Sequence, residues 1–292
     1  MNGLVVATHR RHYDVVLPDG ERLPCVLRGR AMRIAVGDAV SVERERDGGV
    51  ITGIEPRRNL VYRSDAFKEK LVAANVTQIA AVVAPDIALD EELLHRWMIA
   101  AEAAECRYIV FANKQDLPSF AQLRARLVPL EALGNAVVPL SARHAIGTAR
   151  DWLEGQHTVL VGQSGMGKST LINALVPDAQ ARTTEVSESL NAGRHTTTSA
   201  TLYTIDARTW IVDSPGMKVF GLAHVPAGDL AAAFVEIRPF LGHCRFRNCR
   251  HDAEPGCAIT DAVARGKVTR QRLALMHAIL SEVESKQGVR AR

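Results

Sequence analysis

The apolar positions of this chain change rhythm twice along its length. Between residues 3 and 54 they fall in short runs rich in Val, Ile and Leu: Leu4–Ala7, Tyr13–Leu17, Leu23–Leu27, Ala39–Glu43 and Val50–Ile54. Pro18-Asp19-Gly20 and Asp47-Gly48-Gly49 stand between runs, and Asp-Gly pairs favour tight hairpins. Five strands within about 50 residues predict a small all-β barrel of the oligonucleotide-binding (OB) type, although an SH3-like barrel has the same pattern. From residue 77 strand and helix alternate. Thr77–Ala84, Tyr108–Ala112, Ala136–Leu140, His157–Val161 and Thr209–Val212 read as strands. Asp90–Glu105, Ser119–Leu133 and Lys168–Leu175 carry helical spacing, with Leu93, Leu94, Trp97 and Ala101 on one side of the first. Strands joined by crossover helices build a parallel α/β sheet. Beyond residue 226 the pattern is helical, is interrupted by a Cys/His cluster, and resumes in a helix expected over Thr260–Glu284. The chain is therefore multidomain, with boundaries expected at 1–63, 64–225 and 226–292.

Composition alters this picture in two places. A hydrophobic fraction of 47% and a charged fraction of 23% describe an ordinary folded protein and exclude a wholly disordered chain. No apolar run approaches the roughly 18–20 residues of a membrane helix, and the N-terminus lacks the marks of a signal peptide, so a cytoplasmic protein without membrane contact is expected. The net charge of +4 is unevenly spread. Residues 1–63 carry 11 basic side chains, all arginine, against 8 acidic ones, and residues 226–292 carry 11 against 7. The middle is mildly acidic. Basic ends around an acidic centre fit contact with a polyanion, or ordinary charge scatter.

Chemistry enters at Gly162-Gln163-Ser164-Gly165-Met166-Gly167-Lys168-Ser169, followed by Thr170. The segment fits G-x-x-x-x-G-K-[ST] between an expected strand and an expected helix, the context a phosphate-binding loop requires. Its backbone N–H groups and the helix N-terminus favour phosphate oxygens. Lys168 is expected to reach the β- and γ-phosphates, and the Ser169 hydroxyl to hold Mg²⁺.

Asn113-Lys114-Gln115-Asp116 names the base. This N-K-x-D follows a strand, where α/β sheets bind ligands. The Asp116 carboxylate can accept from guanine N1–H and the 2-amino group, and adenine offers neither donor on that edge. A P-loop ATPase or kinase is disfavoured on that ground. Ser141-Ala142-Arg143, again after a strand, is similar to the S-A-x loop that closes over guanine in GTPases. Asp213-Ser214-Pro215-Gly216 fits D-x-x-G, with Asp213 expected on Mg²⁺ through water and the Gly216 N–H at the γ-phosphate. Gly193-Arg194-His195-Thr196-Thr197-Thr198 supplies switch hydroxyls, and Thr197 or Thr198 completes the Mg²⁺ shell.

The order of these motifs is permuted. Ras-like proteins run from phosphate loop to N-K-x-D; here N-K-x-D and S-A-x precede the phosphate loop, the switch and D-x-x-G. With that order, the barrel, G-R-H-T-T-T, D-S-P-G and the cysteine cluster, nearly the whole chain resembles the ribosome small-subunit-dependent GTPase A (RsgA) family. The resemblance implies an N-terminal OB barrel, a central circularly permuted P-loop GTPase and a C-terminal helical zinc-binding domain. It further implies binding to the small ribosomal subunit and its rRNA during late subunit maturation. GTP hydrolysis to GDP is then slow alone and stimulated by the subunit; the alternative is a non-catalytic rRNA-binding module that GTP stabilises. Three unlike domains fit a monomer.

The residue after D-x-x-G is Met217, which cannot orient a water. His195 can accept a hydrogen bond from water, and the resemblance assigns it the catalytic role; packing or capping of the switch is the alternative. Separately, Cys244, Cys249, His251 and Cys257 supply three thiolates and an imidazole at zinc spacing, which reads as one structural Zn²⁺. Arg245, Arg247 and Arg250 lie among these ligands, where they meet phosphates or solvent. Cys25 and Cys106 are expected in the core, and the other histidines are expected to form no cluster.

Overall fold

A computed structural model of the chain describes residues 1–9, 12–28, 32–64, 69–177, 179, 200–213, 220 and 222–290. The five N-terminal strands are β1 (Asn2–Thr8), β2 (Tyr13–Val16), β3 (Arg22–Leu27), β4 (Ala39–Glu45) and β5 (Gly48–Ile54). They run in the order β1-β2-β3-β5-β4, and β4 pairs back on β1, so the sheet closes into a barrel. All these pairings are antiparallel except β3 with β5. Alternate residues point inward, and Val5, Val15, Leu23, Cys25, Val40, Val42 and Ile51 fill the interior. At the exit of the barrel Arg57 holds the fully buried Asp38 carboxylate in a forked pair at 2.6 and 2.7 Å.

A hairpin of β6 (Leu60–Ser64) and β7 (Glu69–Ala74) then straddles the expected boundary at residue 63. Beyond it lie β8 (Gln78–Val83), α1 (Glu91–Ala103), β9 (Arg107–Ala112), α2 (Phe120–Ala132), β10 (Ala136–Pro139), α3 (Gly147–Leu153), β11 (His157–Val161), α4 (Lys168–Leu175), β12 (Thr201–Asp206) and β13 (Thr209–Asp213). The sheet order is β10-β9-β8-β11-β13-β12, parallel except for β12. Every residue of β8 is buried, as expected of a strand covered on both faces. Asp90 caps α1 by accepting from Leu93 N at 3.0 Å, which satisfies one of the otherwise unpaired amides of its first turn.

Barrel and sheet are continuous, because β12 also pairs with β1 at Ala7 and Thr201. A second tie runs beside it: Ala74 N donates to Val36 O at 2.8 Å, and Asn75 Nδ2 to Gly37 O at 3.0 Å.

The C-terminal region holds α5 (Ala227–Ala232), a 3-10 turn (Arg238–Phe240), α6 (Ala258–Ala264) and α7 (Arg270–Arg290). The single helix expected over Thr260–Glu284 is two helices. Gly266 takes φ +68°, a left-handed conformation that stops α6, and its N–H closes on Val263 O at 3.0 Å. Leu230, Phe234, Ile237, Ile259, Met276 and Ile279 form this region's core, and Ile99 of α1 is buried with them. Arg96 on α1 meets Glu282 on α7 at 2.9 Å, and Arg238 pairs with Glu102.

Candidate functional site

In the sheet the strand order reverses between β8 and β11, and ligands of open α/β sheets bind at such a reversal, outside the carboxyl ends of the strands. Five neighbouring strands end at this rim. Asp86 follows β8, Asn113 follows β9, Ser141 follows β10, Gly162 follows β11 and Asp213 ends β13. A cleft of about 460 Å³ opens there, lined among others by Asn113, Lys114, Asp116, Ser141, Ala142, Ser164, Gly165, Gly167, Lys168, Ser169 and Thr170. The two halves of the motif set, separated in sequence, face one space.

The loop from Gly162 to Gly167 needs glycine at both ends. Gly162 has φ +150°, and a Cβ there would stand 2.5 Å from Val82 O. Gly167 has φ +98°, and its Cβ would stand 2.2 Å from Asn113 Nδ2. Lys168 opens α4 and turns its Nζ onto Gly162 O at 2.6 Å and Gln163 O at 3.0 Å. Burial lowers the Lys168 pKa, and the Asp213 carboxylate opposes that shift. Burial raises the Asp213 pKa, and Lys168 in turn opposes it. Each of this pair thus favours the charged form of the other in a partly dry setting. Met166 differs from its neighbours: its side chain is buried in the core, and its Sδ accepts from Ala84 N at 3.0 Å.

Asn113 joins the halves. Its Nδ2 donates to Met166 O at 2.9 Å in the phosphate loop, and its Oδ1 accepts from Ala142 N at 2.9 Å. Both functions of one buried amide are thereby spent on holding three loops together. Lys114, at φ +60°, donates to Gly165 O at 2.9 Å. Gln115 is exposed, and its backbone N–H donates to Leu140 O at 3.1 Å. A hydrogen bond with the Ser141 side chain holds the exposed Asp116 carboxyl below the usual range, so it is ionised at neutral pH.

Sequence reading missed Asp86. Its carboxylate takes Lys114 Nζ at 2.6 and 2.9 Å, so the amine is gripped between Asp86 and Gly165 O. An acid just past the carboxyl end of a central strand was the available signal. His195, Thr197, Thr198 and Gly216 lie outside the described residues, as does Met217.

Ser169, exposed at the start of α4, and Asp213 offer hard oxygen donors beside Lys168, the type Mg²⁺ takes. The second metal set is more complete. Ligand atoms of Cys244, Cys249, His251 and Cys257 all lie within 4.8 Å of one another. Cys244 Sγ stands 3.9 Å from Cys257 Sγ and 3.4 Å from His251 Nδ1, and Cys257 Sγ stands 3.6 Å from that nitrogen. A tetrahedron with Zn–S bonds of about 2.3 Å has edges near 3.8 Å, so the donors fit zinc. Burial works against ionising Cys257, but hydrogen bonds from Thr260, the Ile259 amide and Cys249 together draw the thiol below its ordinary pKa. That suits a ligand which must be a thiolate.

Two expectations about lone residues divide. Cys25 and Cys106 are both buried, and burial pushes the Cys106 thiol up to about 11, so neither is a reactive nucleophile. The histidines do form one cluster: His9, His12 and Asp14 approach within 4.8 Å. Pairing along the β1–β2 hairpin creates it, and Arg22 already occupies the Asp14 carboxylate at 2.7 Å.

A phosphate loop bound to an upstream base-recognition segment defines a P-loop GTPase whose motifs are circularly permuted. The profile of the RsgA GTPase family matches residues 54–223. A Burkholderia pseudomallei protein named small ribosomal subunit biogenesis GTPase RsgA is 50% identical over 287 residues, spanning 96% of this chain and 91% of that one. The crystal structure of YjeQ from Thermotoga maritima superposes with a TM-score of 0.70 at 28% identity, over 97% of this chain and 98% of that one. YloQ, described as a circularly permuted GTPase, has the same fold at a TM-score of 0.69 and 24% identity, over 98% of this chain and 95% of that one. The chain belongs to the RsgA GTPase family. It is a GTP-hydrolysing enzyme.

Proposed function

We propose that this enzyme acts in biogenesis of the small ribosomal subunit, binding the subunit and its rRNA and hydrolysing GTP to GDP and phosphate at a rate the subunit stimulates. The name of its Burkholderia relative supports the process. The observation that carries the nucleotide half is the Asn113 amide, which fixes the guanine segment to the phosphate loop and so makes one site of two distant motifs. In that site Asp116 accepts from guanine N1–H and the 2-amino group, while Ala142 sits on the loop closing over the base. The amides of residues 163–168 and the helix start cradle the phosphates. Lys168 leaves its carbonyl partners for the β- and γ-oxygens, and Thr170 continues the binding segment along α4. Ser169 and Asp213, with Thr197 or Thr198, would hold Mg²⁺, which when bound neutralises charge developing on those oxygens. His195 accepts a hydrogen bond from the attacking water, and the Gly216 amide reads the γ-phosphate.

The flanking units fit the same reading. Closure of β4 on β1 and the parallel β3–β5 pairing support the OB class, and basic charge on residues 1–63 and 226–292 suits rRNA phosphates. Units at 1–63, 64–225 and 226–292 work as a cytoplasmic monomer. No described helix is long and apolar enough to cross a membrane.

Turnover of GTP with and without purified small subunits, and of ATP as control, tests the proposal. Stimulation confined to GTP is expected, and a rate indifferent to the subunit overturns it. His195→Ala is expected to keep GTP affinity and lose most of the stimulated rate; undiminished turnover removes the histidine from the mechanism.

A further inference from the structure

Among the described residues four large apolar side chains are exposed, Met1, Val26, Val128 and Phe246, and only the last is aromatic. Phe246 stands 42% exposed among the four residues between Cys244 and Cys249 of the candidate zinc site. Its backbone is held on several sides. Cys249 N donates to Phe246 O at 3.3 Å, and Arg245 N donates across the loop to Gly256 O at 3.0 Å. Gly256 permits this approach at φ +74°, since a Cβ there would meet Arg245 Cβ at 3.1 Å. An apolar ring is thus presented to solvent on a loop tied by these hydrogen bonds, which zinc on the Cys/His set would brace further.

Its surroundings are cationic. The Arg245 guanidinium lies 5.5 Å from the ring centroid, and Arg247 and Arg250 are exposed on the same loop. Among the described residues none of the three arginines forms a side-chain ion pair. The nearest acid in sequence, Glu254, is spent on the amides of Arg250 and Asp252 at 2.7 and 3.0 Å. Asp252 is exposed beside it. An exposed aromatic ring with one guanidinium beside it, and two more without ion pairs on the same loop, matches a polyanion that also offers flat π-faces. RNA is such a partner, and a duplex hides its base faces. We propose that Phe246 is a stacking platform for one unpaired RNA base, with Arg245, Arg247 and Arg250 on the flanking phosphates. The inference rests on the reading that the small subunit is the partner and adds the element of it that this loop recognises.

The test uses full-length, zinc-loaded protein, purified small subunits, and a fluorescently labelled, unstructured 12-nucleotide RNA. Base–aromatic stacking predicts that Phe246→Ala weakens both affinities by roughly 5- to 100-fold. Stacking releases no counterions, so the slope of affinity against salt stays that of the parent, whereas Arg247→Ala lowers that slope by about one. Phe246→Trp is expected to retain binding and to lose indole fluorescence when RNA is added. Zinc content and subunit-free GTP turnover stay at parental values throughout. Parental affinity of Phe246→Ala for both ligands overturns the proposal, as does full rescue by Phe246→Leu, which marks an ordinary apolar contact. A wild-type enzyme that subunits do not stimulate refutes the functional reading instead, and the oligonucleotide arm still decides on Phe246.

Discussion

Lys114 Nζ is gripped by the Asp86 carboxylate and by the carbonyl of Gly165, while two residues on Asp116 stands exposed and ionised. These two acids do different work. In the proposed site Asp116 would read the base, each hydrogen bond from guanine to its charge contributing about 1.5–3 kcal/mol. Asp116→Asn reverses that recognition: competition binding should show GTP affinity falling at least tenfold while xanthosine triphosphate gains, and an unchanged base preference refutes the assignment. Asp86 acts through Lys114. Both partners are partly exposed, so the pair is worth little by itself and Asp86→Ala should weaken GTP and GDP alike by only a few-fold. Its signature is coupling, because adding Lys114→Ala to that variant should cost less than it does alone. Strict additivity in nucleotide titrations separates the two residues. The phosphate loop and N-K-x-D stand out in the sequence because each packs its residues into a short local string, with backbone amides central to the first and side chains to the second. Asp86 does not, since its partner lies 28 residues away and only the adjacency of β8 and β9 brings them together.

Among the elements, those the sequence pattern did not mark each lack a strong local signal. β6 and β7 are short and interleave apolar residues with Arg63 and Lys70, and they are stabilised by pairing with each other. Helix α3 begins at Gly147 with no side-chain cap, so no local signal marks its start. The terminal helix was read through Gly266 because a single glycine costs a helix only about 1 kcal/mol and sequence cannot show its φ. By contrast β8 and β9 were plain, since burial leaves nearly continuous apolar runs, and α1 was plain from the helical spacing of its apolar side. The metal loop belongs to the core of its region, where Cys257 is fully buried beside Ile259 and Phe234. Chelation or Cys249→Ser should therefore unfold the C-terminal region, read as lost helical circular dichroism, with nucleotide binding affected less. Helix α1 carries a second sensitivity. Burial and the nearby Arg272 push the His95 pKa from 6.5 down to about 4, against weaker opposition from Glu236 and Glu91, and its buried Nδ1 has no partner among the described residues. The folded state keeps His95 neutral while the unfolded chain protonates it near 6.5. Stability from this group is complete above that pH and is lost as the pH falls toward 4. Thermal melts should show a decline across that window which His95→Gln flattens; an identical decline in the variant assigns it elsewhere.

At the scale of the molecule, β12 is hydrogen-bonded to β13, which ends in Asp213, and to β1 of the barrel. Any shift of the nucleotide rim along β13 therefore reaches the barrel through one intervening strand. On the other flank Ile99 and Arg96 bind α1 into the C-terminal region. With both basic ends tied to the nucleotide unit, affinity for small subunits should differ among GTP, GDP and nucleotide-free protein and fall steeply with salt. Equal dissociation constants in the three states would show that the joints do not transmit. The strand order β10-β9-β8 has one more consequence, and it concerns synthesis. Because these three strands are consecutive in the chain and adjacent in the sheet, a nascent polypeptide can assemble its base-reading half as it emerges. The half that grips phosphate arrives later and must insert β11 against an edge already formed. A site that needs both halves would therefore be complete only once residues 162–169 and the strand before them have been translated.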